Sequence, residues 1–272
     1  MSLPPDDLLK SGDYARKQIY CPSGLVRWSH GSRFELARAL VSAKAGGRLL
    51  DYGCGDGTFV AMVHADFTEA VGLDVDPKQI LECHARLGHL PGVRFGMTPP
   101  LAGQLPASSS QRPASGFQLP ASGVWDVVTC MEVLEHCLEP ERLRVIDALA
   151  RFAAPSGLVV VSVPIEIGPS LAAKQLARAV AGWRGHGDYR HRERYSPVEL
   201  LKSTVGAAIT RVPVEGRGPD GPYRYYGHKG FDYRDVGREL SERFTIARRI
   251  FTPMRMLGPV LNSQAWFVCT PR

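Results

Sequence analysis

The chain has 272 residues, 44% of them hydrophobic, and a mean hydropathy of −0.12, enough to bury one sizeable core in a single domain with additions. No apolar run approaches the roughly 18 residues of a membrane-spanning helix, and the start (Pro4, Pro5, Asp6, Asp7) lacks a signal peptide's basic-then-apolar pattern, so a cytoplasmic protein is expected. The net charge of +6 is uneven, with 15 Lys and Arg against 17 Asp and Glu in residues 1–165 and 18 against 10 in residues 166–272, so any anionic partner is expected at the C-terminal part.

Residues 1–45 are predicted to form an N-terminal helical cap, with Phe34, Leu36, Ala37, Leu40 and Val41 at helical spacing between Arg33, Glu35 and Arg38. Short apolar runs follow at Arg48–Asp51, Ala70–Asp74 and, more weakly, Gly92–Phe95. Residues 99–123, rich in Pro, Ser, Ala and Gly and repeating Leu-Pro-Ala-Ser, are predicted to be a flexible surface insertion. Strands Asp126–Cys130 and Leu158–Val163 flank a helix over Glu141–Phe152. The alternation then breaks. Residues 166–230 are expected to be a basic, aromatic, substrate-covering insertion. Within it, one helix is predicted to turn Ala172, Leu176, Ala179, Val180 and Trp183 over the site and Lys174 and Arg178 away from it. A helix over Tyr233–Arg243 and strands Phe244–Phe251 and Ala265–Cys269 complete an α/β core spanning 46–165 and 231–272, with a mostly parallel sheet and helices on both faces. The six cysteines are scattered without a CxxC pair, which speaks against a zinc ribbon or a disulfide framework.

Asp51 ends the first strand and is followed by Gly53, Cys54, Gly55 and Gly57, then by a helical stretch. Glycines let the backbone approach a ligand, and the helix start offers it free N–H groups. Asp51 is placed to meet an ammonium group, and Asp74, closing the next strand, to accept both hydroxyls of a ribose. A dinucleotide loop prefers Gly-x-Gly-x-x-Gly; Gly-x-Gly-x-Gly after an acid favours S-adenosylmethionine.

Leu50 to Gly57, Gly72 to Asp76 and Asp126 to His136 together resemble the motifs of class I S-adenosylmethionine-dependent methyltransferases, of the small-molecule and ubiquinone-pathway type. The resemblance covers the core and not the insertions. It implies a Rossmann-like seven-stranded sheet, with Asp51, Gly53, Cys54, Gly55, Gly57, Asp74 and Val75 at the cofactor and Cys130 and Met131 at the reaction centre. The chain departs from the pattern after the third strand, where Gly96, Met97, Thr98 and Pro99 offer no acid for the adenine amino group.

If Glu132 to His136 is helical, Glu132, Glu135 and His136 share one face. They are candidate ligands of a divalent metal, with His228 as a further one, and His136 with Glu132 a candidate catalytic pair. The stretch resembles the metal site of ubiquinone-pathway O-methyltransferases and of small-RNA 2′-O-methyltransferases, and also a site-shaping stretch of metal-free members. Two stretches, His186–Tyr195 and Tyr223–Arg234, are dense in cationic and aromatic residues; His228, Lys229 and Phe231 are the candidate substrate contacts. The expected activity is methyl transfer to an oxygen, less readily a nitrogen, of a small molecule, glycan or lipid-linked metabolite, an anionic one favoured, with peripheral membrane contact conceivable. The alternatives are RNA 2′-O-methylation and an inactive cofactor-binding partner subunit. The motifs of amino-directed adenine methylation and of cytosine carbon methylation are absent after the fourth strand.

Overall fold

The computed structural model describes residues 6–98, 124–183, 195–218 and 221–272. The 99–123 insertion lies outside the described residues, as does the basic stretch 186–195 except Tyr195. The strands are β1 (Arg48–Tyr52), β2 (Glu69–Asp74), β3 (Val93–Met97), β4 (Trp125–Met131), β5 (Ala153–Pro164), β6 (Pro213–Gly218), β7 (Gly221–Tyr226), β8 (Phe244–Thr252) and β9 (Gln264–Pro271). The α-helices are α1 (Asp6–Lys10), α2 (Gly24–Val41), α3 (Thr58–Val63), α4 (Pro77–Leu87), α5 (Glu139–Phe152), α6 (Pro169–Trp183), α7 (Pro197–Thr204) and α8 (Tyr233–Arg243). Among the described residues no helix is long and apolar enough to cross a membrane.

Seven strands form one sheet in the order β3-β2-β1-β4-β5-β9-β8, while β6 and β7 form a separate hairpin. Neighbours among β1 to β5 are parallel, and β9 runs antiparallel between β5 and β8. This is the expected Rossmann-like sheet. The winding reverses between β1 and β4, which opens a crevice at the carboxyl ends of these strands, the usual ligand position in open α/β sheets.

Pleat parity sorts the side chains into two cores. Leu50, Tyr52, Val128, Cys130, Val159, Val161 and Phe267 pack under α5 and α8. Leu49, Val127, Val160, Trp266 and Val268 pack under α2, α3 and α4. Because helices cover both faces, the central strands β4 and β5 read as continuous β-branched runs. Helix starts follow local chemistry: the Asp76 side chain accepts from Lys78 N ahead of Pro77, and Asp232 does the same for Arg234 N. Helix α5 begins two residues earlier than predicted, at Glu139, with the Glu141 carboxylate accepting from Leu138 N.

The described side chains of α6 do not take the expected orientation, those of Arg178, Val180 and Trp183 lying outside the described residues. Leu176 is 68% exposed and Ala179 is also exposed, while Lys174 turns inward, its Nζ donating to Ile165 O (2.9 Å) and Glu166 Oε1 (2.8 Å). Glu166 is 1% exposed. A buried carboxylate beside the helix holds the ammonium group inward, because an unpaired buried charge is costly.

Candidate active site

A cleft of about 870 Å³ opens where the carboxyl ends of β1, β2, β4 and β5 meet the amino end of β9, roofed by the N-terminal segment. Its strand-borne lining residues, Asp51, Asp74, Met131, Ser162, Gln264 and Trp266, share the pleat parity of the α2-side core. That parity explains two corrections. Cys130 has the opposite parity and is fully buried under α5, so it does not line the cleft. Val75, just past the end of β2, is 74% exposed and outside the cleft as well.

The glycine loop lies where the sequence placed it. Gly53 has φ +81°, and a Cβ there would stand 2.2 Å from Val133 Cγ2, so only glycine fits. Gly53 and Cys54 donate their N–H groups to Leu73 O, tying the loop to β2. Gly53, Cys54 and Gly55 line the cleft, whereas Gly57, at φ +73°, caps α3 against Leu87, Cys83 and Phe95. Asp74 Oδ2 accepts from Gly55 N (2.9 Å) and Oδ1 from Asp76 N (2.9 Å), so its carboxylate is aimed by backbone.

Asp51 is 2% exposed and accepts from Thr129 Oγ1 at 2.7 Å. Burial pushes its carboxyl up to about 7; the Thr129 hydroxyl opposes that, and the nearby charge of Asp74 adds to it. Between about pH 4 and 7 the folded state therefore binds this proton more strongly than the unfolded chain, and the Asp51 contribution to stability declines as pH rises through that window. A ligand ammonium group requires the carboxylate. Affinity for S-adenosylhomocysteine is expected to fall about tenfold from pH 8 to pH 6. In Asp51→Asn the dependence should flatten; calorimetry across the pH range checks both, and a flat wild-type profile would remove Asp51 from the cofactor.

The N-terminal segment supplies residues that sequence reasoning missed. Tyr14 N donates to Asp56 Oδ2 (2.8 Å), clamping the segment to the glycine loop. The Tyr14 hydroxyl meets His30 Nδ1 at 2.8 Å and accepts from Arg33 at 3.3 Å. Arg33, with its side chain 18% exposed, pairs with Glu132 at 3.3 Å and lines the cleft with Phe34. A cleft lined by both Asp51 and Arg33 suits an α-amino acid end, an ammonium facing one and a carboxylate the other.

Glu132 to His136 is not a helix. Glu132 takes φ +58°, a left-handed value uncommon for a non-glycine residue, and the following residues form turns. The turn sends the Glu132 carboxylate to Arg33 and leaves Glu135, His136 and His228 together, their ligand atoms all within 4.8 Å. Glu135 is fully buried, and neither of its carboxylate oxygens has a hydrogen-bond partner among the described residues. Burial above all, then the neighbouring Glu132, hold its carboxyl well above the usual range.

His136 Nδ1 lies 2.9 Å from Tyr226 O, so it carries the proton and turns its Nε2 lone pair inward. His228 Nε2 stands 3.4 Å from that atom, while its Nδ1 faces Glu166 Oε1 at 3.8 Å. Burial lowers the His136 pKa, so the ring is neutral at neutral pH. The inward lone pair of His136 can accept the Nε2 proton of His228 or, with His228 in its other tautomer, share a cation with it.

The other candidate substrate contacts fall elsewhere. Phe231 is 1% exposed, a core residue under the stacked Arg211 guanidinium, 5.2 Å from its ring centroid. Arg211 also donates to Glu135 O and to Gly227 O (2.7 Å), joining the two loops that carry the histidines. Lys229 pairs with Glu199 at 2.7 Å.

A methyltransferase domain family model matches residues 31–202. The chain is 32% identical over 93 residues to the ubiquinone biosynthesis O-methyltransferase of Idiomarina loihiensis, covering 34% of this chain and 37% of that protein. It is 28% identical over 185 residues to the protein of that name from Psychrobacter arcticus, covering 63% and 62%. The aligned stretches thus span less than two thirds of either relative. The PH0226 protein of Pyrococcus horikoshii OT3 shares the fold, with a TM-score of 0.57 at 17% identity over 97% of this chain and 98% of that one. With the family match extending from α2 into α7, across the glycine loop, Asp74 and the histidine turn, the chain belongs to the methyltransferase domain family and carries the fold of its class I S-adenosylmethionine-dependent members.

Proposed function

We propose that the protein transfers the methyl group of S-adenosylmethionine to an oxygen of a small-molecule acceptor. The observation that carries this reading is the Glu135, His136 and His228 cluster at β4's end, beside Met131 and the cleft, where the donor's methyl group would project. Sulfonium-to-oxygen transfer is an in-line displacement, so alignment supplies much of the rate and a hydroxyl acceptor must also lose its proton. The curated relatives, both named as O-methyltransferases, support a small acceptor over RNA.

Asp74 would hold the ribose, Asp51 and Arg33 the methionine end, and His136 with its neighbours the acceptor hydroxyl. Two forms of the last role fit. An imidazole base would use the inward Nε2 of His136. A divalent cation would be held by His136, His228 and Glu135, and is favoured because the two buried Glu135 oxygens otherwise lack hydrogen-bond partners among the described residues. Bound there, such a cation would lower the pKa of the acceptor hydroxyl.

The test is incubation with S-adenosylmethionine carrying a 13C methyl group and a panel of phenols, alcohols and amines. Carbon NMR separates O-methyl from N-methyl products. O-methyl products support the reading; N-methyl products alone, or none from protein that binds S-adenosylhomocysteine, overturn it.

A further inference from the structure

Two buried polar side chains lie across the sheet from Asp74, on the acceptor side of the cleft. Ser162 on β5 is 1% exposed and Gln264 on β9 is 0% exposed, and both line the cleft. Ser162 Oγ and Gln264 Nε2 have no hydrogen-bond partner among the described residues. The sheet places both strands beyond β4 from the donor's ribose acid on β2, where an acceptor approaching the methyl group must lie. An unsatisfied buried amide costs folding free energy, so its retention in an otherwise apolar strand needs a ligand-side reason.

The polarity of this spot is fixed by its neighbours. Trp266 Nε1 donates to Thr252 Oγ1 at 3.0 Å, and an indole nitrogen can only donate. The Thr252 hydroxyl donates in turn to Gln264 Oε1, at 3.5 Å. Reversing the amide would break this donation at a threonine 2% exposed. In this arrangement the amide turns its NH2 group, a donor without a partner among the described residues, to the cleft.

We propose that Gln264, oriented by Trp266 and Thr252 and assisted by the Ser162 hydroxyl, is a hydrogen-bond-donor subsite that selects acceptors bearing a second oxygen, a carbonyl or carboxylate, besides the one methylated. This rests on the methyl-transfer reading above. Selection of this kind discriminates strongly, because an acceptor lacking the oxygen leaves the buried donors unpaired.

The experiment titrates S-adenosylhomocysteine-loaded protein with the three hydroxyacetophenone isomers and the matching ethylphenols, which differ only in the ketone oxygen. Wild type is expected to bind at least one ketone about tenfold more tightly than its ethyl partner. Gln264→Leu should abolish the preference, and Gln264→Glu, which replaces the donor by acceptors, should reverse it. If Gln264→Leu does not fold, Thr252→Val, which frees the amide to turn, should cut the preference by at least half. A preference that survives in the Gln264 variants, or in Thr252→Val where that variant stands in, overturns the proposal, as does its absence from wild type for every pair. Titration with S-adenosylhomocysteine alone keeps the two readings apart: its binding should be unchanged in all variants, and failure of wild type to bind it would count against the donor site instead.

Discussion

Asp74→Ala is expected to weaken S-adenosylhomocysteine binding about hundredfold, close to 2.7 kcal/mol. Hydrogen bonds to a charged acceptor contribute about 1.5–3 kcal/mol each, and a ribose diol offers two to one carboxylate. The backbone makes the loss larger than a side-chain deletion on a mobile loop would be. Gly55 N and Asp76 N hold the Asp74 oxygens at 2.9 Å each, so the carboxylate is aimed before the ligand arrives. Asp74→Asn keeps one acceptor oxygen and should lose about tenfold. Calorimetry measures both, with thermal unfolding as a control because Gly55 loses a partner in the alanine variant. Undiminished affinity in a folded Asp74→Ala protein would mean that the ribose is held elsewhere.

The sheet and the donor half of the site were legible because they are local. Gly53, Gly55 and Gly57 follow Asp51 within six residues, and the central strands announce themselves as short apolar runs, β-branched in β4 and β5. Pleat parity was written in the sequence but not applied there: Asp51 and Leu49 share a face, and the same alternation sets Cys130, wrongly expected at the reaction centre, against Met131. Ser162 and Gln264 carried the same signal, as polar residues of core parity in buried apolar strands. What the sequence hid depends on distant partners. Tyr14 reaches Asp56 across 42 positions, and nothing in the local pattern of either announces the contact. Lys174 looked like the solvent side of an amphipathic helix, and only the fold reveals Glu166 beside it. The spacing of Glu132, Glu135 and His136 invited a helix. The left-handed Glu132 instead splits the trio, giving one acid to Arg33 and the other to the histidines.

That split makes the second large prediction specific. Chelation of the purified protein is expected to lower methyl transfer at least about hundredfold, with manganese or zinc restoring it. His228→Ala and Glu135→Gln should each weaken metal binding by about hundredfold, read by calorimetry without any acceptor present. Glu132→Gln should leave metal affinity within about twofold, since its carboxylate pairs with Arg33 rather than with the histidines. Had the stretch been a helix with all three residues on one face, Glu132 and Glu135 would be equivalent; the turn predicts that they are not. His136→Ala removes both a ligand and the imidazole base of the cluster, so it should abolish transfer under either form of the chemistry. The discriminating result is the chelated wild type. Full activity without metal, together with loss in His136→Ala alone, would assign the acceptor proton to the imidazole, and the buried Glu135 would then act by holding a proton between the rings and itself rather than by binding a cation.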